Sequence, residues 1–130
     1  EHLSRHSLAD LFLDTFPYNA HTTASDSLWS GLPVLTYQGD SFASRVSSSL
    51  LSAIELPELI AKNQAEYFSL AVALGKDTLK MKSLKDKLIK NIVNTNLFNT
   101  PLFTKNLEKS FQKMIDNFNS GTNDKNINIS

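Results

Sequence analysis

The residues best arranged for chemistry fall between positions 19 and 26, where Asn19, His21, Thr22, Thr23 and Asp26 cluster within one short polar stretch. An apolar run, Leu11-Phe12-Leu13, precedes them, and a second, Val34-Leu35, follows Pro33. Pro17 and Asn19 mark a loop after the first run, and Gly31 punctuates the end of a short amphipathic segment. The local layout is strand, polar loop, helix, strand, which aims a helix N-terminus outward from the carboxyl edge of a sheet. A first helical turn carries N–H groups without intrahelical partners at the positive end of the dipole, and so suits an anion. His21, Thr22 and Thr23 add side-chain donors there, and the stretch reads as a phosphate-binding turn. The same residues also have a plainer use. Thr23 and Asp26 have the spacing of a capping box, which opens many helices that bind nothing. A single histidine before a helix is commonly just a satisfied surface or core group. What favours the anion is the clustering of donors at a strand-to-helix corner, where open α/β sheets bind ligands.

The elements that must hold this turn can be read along the chain. Residues 2–9 look like the end of a helix with Leu3 and Leu8 inward, and His2 and Arg5, three apart, share a face. Leu11 to Asp14 reads as a short strand buried on both sides, in the manner of a parallel sheet. A helix is predicted from about Thr23 to Ser30, then a strand from Pro33 to Tyr37. Asp40 or Ser41 can cap a helix running to about Ser52 with Phe42, Val46, Leu50 and Leu51 inward. Ala53 to Leu56 reads as an edge strand, and Pro57 opens a helix over about 57–74 that Gly75 closes. Two more helices follow, over about 78–94 and 102–118, with a break at Asn96 to Pro101. The last carries Phe103, Leu107, Phe111, Met114, Ile115 and Phe118 on one stripe, a pattern typical of a core or docking face. Residues 119–130 are rich in Asn and Ser and are expected to be a flexible tail. The predicted fold class is α/β, short parallel strands with helices and a helical C-terminus, organised as one domain over 1–118.

Composition narrows the function. The chain has 130 residues, enough for one modest core, with 41% hydrophobic and 20% charged residues. No apolar run approaches the roughly 18 residues of a membrane helix. Cys 0 excludes disulfides, thiolate metal sites and cysteine nucleophiles, and suits a reducing, cytoplasmic setting. Net charge is zero, but residues 1–75 carry three basic against eight acidic groups, and residues 76–130 carry ten against five. The lysines at 76, 80, 82, 85, 87 and 90 are not interleaved with aromatic or arginine residues, so they read as a solvated helix face and not as a nucleic-acid footprint. The chain begins at Glu1 and enters a helical pattern almost at once, and three strands make a narrow sheet. A fragment whose first strands lie upstream is therefore expected.

The ordered run Leu8-Ala9-Asp10, Leu13-Asp14-Thr15, Asn19-Ala20-His21-Thr22-Thr23, Asp26, Leu28-Trp29, Gly31, Pro33, then Gly39 and Ala43-Ser44-Arg45-Val46, closely resembles the O-GlcNAc transferase (SPINDLY-like) glycosyltransferase family. Glu58-Leu59-Ile60-Ala61-Lys62-Asn63, Glu66-Tyr67 and Leu97-Phe98-Asn99-Thr100 continue the likeness. The resemblance implies the C-terminal half of a Rossmann-like donor-binding domain in a GT-B enzyme. Such enzymes transfer a sugar, usually N-acetylglucosamine, from a uridine-diphosphate donor to serine or threonine of proteins, and no metal cofactor is expected. By the same resemblance, His2 lies against the uracil ring, Arg5 meets the base edge or its surroundings, and His21, Thr22 and Thr23 hold the diphosphate and the start of the sugar. Asp26 accepts hydrogen bonds from the ribose hydroxyls. No catalytic residue is expected within this stretch. The family's donor-phosphate lysine, its other Rossmann-like domain and its tetratricopeptide repeats fall outside the residues that match, so the chain alone is expected to be inactive. Two alternatives stand beside this reading: a UDP-glucose-dependent protein glucosyltransferase, and a non-catalytic helical interaction module.

Overall fold

The computed structural model describes residues 2–122 and 126–129. They divide into two compact units, Glu1–Phe98 and Asn99–Ser130. The first is built on three short parallel strands, β1 (Phe12–Leu13), β2 (Val34–Tyr37) and β3 (Ile60–Ala61), in the order β1-β2-β3. Phe12 and Leu13 stand opposite Val34 and Leu35, and Thr36 and Tyr37 opposite Ile60 and Ala61. Parallel neighbours need a crossover. Helix α1 (Thr22–Trp29) connects β1 to β2, and α2 (Val46–Ala53) lies between β2 and β3. Helices α3 (Gln64–Lys76) and α4 (Thr78–Asn94) follow β3. This is the α/β arrangement that the sequence predicts.

The core lies where the apolar faces meet on the sheet. Leu28 of α1, Val34 and Leu35 of β2, Leu51 of α2 and Leu88 of α4 are all fully buried. Each such side chain removed from water contributes about 1.5–3 kcal/mol.

Several expectations need correcting. The N-terminal segment is a 3-10 helix, Leu3–Leu8, and both Leu3 and Leu8 are exposed where inward positions are expected. Leu13 is also largely exposed, so β1 is not covered on both sides. The helix expected from Ser41 is divided: Ser41 caps a 3-10 turn, Phe42–Ser44, by a reciprocal capping box with Ser44, and α2 begins only at Val46. Phe42 consequently projects outward, 78% exposed. Ala53 to Leu56 is not a strand, because α2 ends there in a Schellman turn. Leu56 N–H donates to the Leu51 carbonyl at 2.8 Å and Glu55 N–H to that of Ser52 at 3.2 Å. The third strand is instead Ile60–Ala61, after a 3-10 turn at Pro57–Leu59, in place of a helix starting at Pro57. Helix α3 is capped by Asn63, whose side chain accepts from Glu66 N–H while Glu66 accepts from Lys62 N–H, a capping arrangement legible in Asn63-x-x-Glu66 but missed. Gly75 does not close that helix. It lies inside α3, which stops where Asp77 leaves helical geometry to cap α4. Within α4, Leu79 and Ile89 are exposed, whereas Met81 and Asn91 are buried.

The second unit is dominated by α5 (Thr100–Asn119), which includes the expected break residue Pro101 in its first turn and is capped by Asn99. Its apolar stripe is present, and no residue of the helix is buried. Residues 126–129 have no regular structure; positions 123–125 and Ser130 of the expected tail lie outside the described residues. No helix among the described residues is long and apolar enough to cross a membrane.

Candidate functional site

Parallel register places Asp14, the residue after β1, beside Thr36 of β2. Both are almost fully buried, and Thr36 donates its hydroxyl hydrogen to Asp14 Oδ2 at 2.6 Å. The other carboxylate oxygen accepts the N–H groups of Thr15 at 2.8 Å and Ala20 at 2.7 Å. From α3, the Tyr67 hydroxyl donates to the Asp14 backbone carbonyl at 2.8 Å. Burial, with a contribution from the Asp14 charge, pushes the Tyr67 hydroxyl pKa up from 10.0, so it remains a donor through neutral pH. The turn between β1 and α1 is also tied to the β2–α2 segment. Asn19 N–H donates to the Ala43 carbonyl at 2.9 Å, and the Ser47 hydroxyl to the Ala20 carbonyl at 2.8 Å.

This frame delivers His21 to the start of α1, where it is the N-cap residue but makes no side-chain capping bond. The imidazole stacks on Tyr18, with ring centroids 5.0 Å apart and 22° between planes, and meets Phe42 edge-on at 6.0 Å. Its Nε2 lies 3.4 Å from the Ala43 carbonyl. Thr22 and Thr23 follow in the first turn with exposed side chains. The capping box read between Thr23 and Asp26 is not formed: α1 starts at Thr22, so Thr23 is already helical and cannot cap. The first-turn amides, unmet by any cap, thus open outward together with two threonine hydroxyls.

Asp26 lies four residues after Thr22 on the same face of α1, about 6 Å along the axis. Its Oδ2 is 3.5 Å from Nε2 of His2. His2 is the N-cap of the N-terminal 3-10 helix, and Arg5 follows at the three-residue spacing that eclipses side chains in such a helix. The helix is held against α1 by His6, whose Nδ1 is 3.3 Å from the Ser27 hydroxyl, and His2 and His6 meet edge to face. Beside His2, Arg5 and His6 lies a shallow cavity of about 370 Å³, walled by Leu11, Leu13 and Leu32. His2 and Asp26 are therefore in contact, Thr22 and Thr23 lie one turn away, and Arg5 is exposed at the rim without joining them. Another cavity, of about 320 Å³, lies between Asp10, Leu74 and Lys85 at the amino end of β1, away from the carboxyl edge where such sheets bind ligands. No group of three or more metal-ligating side chains occurs among the described residues.

Sequence reasoning passed over Asp14, Thr36 and Tyr67 as site components. The signal available was a polar residue directly after one apolar strand, Asp14, and another inside the second, Thr36. Nothing in the sequence links Tyr67, 53 residues away from Asp14, to that corner.

Comparison with known proteins gives one consistent likeness. The family model for glycosyl transferase family 41 matches residues 1–107. A Caenorhabditis elegans UDP-N-acetylglucosamine–peptide N-acetylglucosaminyltransferase is 52% identical over 77 residues, covering 59% of this chain and 7% of that protein. A probable SPINDLY enzyme of the same designation from Petunia hybrida is 36% identical over 88% of this chain and 12% of its own length. Among solved structures, a mutant of the Thermobaculum terrenum O-GlcNAc transferase overlaps 86% of this chain and 22% of its own with a TM-score of 0.79 at 35% identity. The present chain is thus a small part of the length of the relatives it matches, and its sheet and helices are part of a GT-B fold.

Proposed function

Because this chain belongs to glycosyl transferase family 41, we propose that it supplies part of the UDP-sugar donor site of a protein O-glycosyltransferase that moves N-acetylglucosamine from UDP-N-acetylglucosamine to serine or threonine of an acceptor protein. The observation that carries this is the single face of α1 on which the open N-terminal turn and the His2–Asp26 pair lie one helical turn apart. That spacing matches a nucleoside diphosphate lying along the helix. The amides of the first turn, with the Thr22 and Thr23 hydroxyls and His21, meet the diphosphate, which accumulates charge as the glycosidic bond breaks. Asp26 takes the ribose hydroxyls, and His2 and Arg5 take the base. Donors of this kind stabilise the charge of a leaving diphosphate by hydrogen bonding. The catalytic base, the remaining donor contacts and the acceptor-presenting repeats belong to other parts of a complete enzyme, and the chain alone does not turn over. Lack of cysteine supports a cytoplasmic setting, and the lysine-rich α4 is not read as a nucleic-acid surface, since Lys85 pairs with Asp10 and Lys87 with Glu58.

UDP titration of the isotope-labelled chain tests the proposal. Amide shifts confined to His2, Arg5, His21, Thr22, Thr23 and Asp26 are expected, even at millimolar affinity. Absence of any shift at those positions would sink the donor-site reading. A UDP-glucose-using enzyme is separated by competition between the two donors on an active polypeptide containing this chain.

A further inference from the structure

We infer that Asp14 is a positioning residue: its buried carboxylate, locked by Thr36, holds the turn from Thr15 to His21 so that the α1 amides and threonines face the donor before it arrives. The inference rests on the donor-site reading above. A carboxylate close to a diphosphate site is unfavourable if it faces the ligand, because like charges repel. Asp14 does not face it: the residue is 3% exposed, and both of its carboxylate oxygens already accept protein donors. Its two backbone clients, Thr15 and Ala20, stand at the two ends of the turn, so one side chain closes the loop on itself. Asn19 tightens the same loop by donating Nδ2–H to the Thr15 carbonyl at 2.8 Å.

One acceptor within the loop is left over. Asn19 Oδ1 is buried and, among the described residues, has no hydrogen-bond donor. A buried acceptor without a donor opposes folding, so the turn relies on the bonds to Asp14 to keep its shape. Thr36 is the lever on Asp14, because its hydroxyl is the only donor on Oδ2 among the described residues, and it is fully buried in β2.

The test compares the wild-type chain with Thr36→Val, which keeps the shape and removes the hydroxyl, and with Thr36→Ser, which restores it. Two readouts are taken: amide order parameters for Thr15, Ala20 and His21, and UDP affinity from chemical-shift titration. In the wild-type and serine chains the turn should be rigid, with order parameters of about 0.85; in the valine chain they should fall below about 0.6 while Val34 and Leu51 stay ordered. UDP affinity should drop about fivefold in Thr36→Val and recover in Thr36→Ser, the effect of losing one net hydrogen bond. A merely structural hydroxyl would lower the melting temperature and leave both readouts unchanged, which overturns the inference. A loosened turn with unchanged UDP affinity overturns it as well. Failure of the wild-type chain itself to respond to UDP instead defeats the donor-site reading, and the positioning role falls with it; the rigid-to-mobile change of the turn would then mark Asp14 as a fold anchor only.

Discussion

Individual side chains at the carboxyl edge of the sheet divide into those that face outward and those that hold them there. Thr22 and Thr23 face outward, so Thr22→Ala combined with Thr23→Ala should weaken UDP binding by about tenfold or more, since hydrogen bonds to charged groups each contribute about 1.5–3 kcal/mol. Helical circular dichroism and unfolding midpoint should change little, because neither hydroxyl caps α1; an unaltered affinity would remove the threonines from the site. Asp26→Ala should also weaken UDP binding; no capping box is lost with it, but its contact with His2 at 3.5 Å is. Tyr67 belongs to the supporting set, and its raised pKa has a stability consequence. The folded state holds the phenolic proton more tightly than the unfolded chain, so the stabilisation is complete below pH 10.0 and is lost as pH climbs through the higher folded value. Chemical denaturation across that alkaline range should show the wild type losing stability faster than Tyr67→Phe. Parallel pH curves would remove that linkage.

Among the elements, three helices end in the same way, and the residue at the left-handed position differs. Gly31 after α1 has φ +80° and Gly121 after α5 has φ +67°, whereas α2 ends with Glu55 at φ 61°. Each turn has the paired Schellman bonds, with Leu32 N–H to the Ser27 carbonyl, Leu56 N–H to that of Leu51, and Thr122 N–H to that of Asn117. A side chain in this region carries a steric cost of about 1–2 kcal/mol that glycine avoids. Glu55→Gly should therefore raise stability, by up to about 1 kcal/mol once the added freedom of the unfolded chain is subtracted. Gly31→Ala should lower it by a similar amount, mainly through φ, since a Cβ there meets only Ile89 Cγ1 at an ordinary 3.6 Å. Urea midpoints measure both, and a stabilising Gly31→Ala would contradict the assignment. The glycine at α1 was readable in the sequence as a helix stop. The glutamate at α2 was not, because nothing in its type announces a left-handed residue, and Ala53 to Leu56 therefore looked like a strand.

At the scale of the whole chain, the site depends on a core that reaches it from behind. Leu28 lies on the inner face of the helix whose opposite end presents Thr22 and Thr23, and it packs with Val34, Leu35 and Leu88 in one buried cluster. Leu28→Ala should cost about 2–5 kcal/mol, a transfer loss plus a cavity. Denaturant unfolding should show that loss, and a change below about 1 kcal/mol would mean that α1 is not seated by this residue. On the other side, Leu8 before β1 and Leu13 within it are exposed.

The sequence by itself determined the α/β class, the strand–loop–helix corner, the extent of α4 and the cluster His21, Thr22, Thr23 and Asp26, because those depend on local periodicity and on the order of residue types. Tertiary structure alone decided which residue anchors that corner. Asp14, Thr36, Ala20 and Tyr67 meet only when parallel strands fall into register and α3 folds back across them. It also decided that Phe42 faces outward toward His21 and that β3 is two residues at Ile60 and Ala61. A strand that short has no periodicity of its own, and it becomes a strand only through the backbone partners β2 offers it.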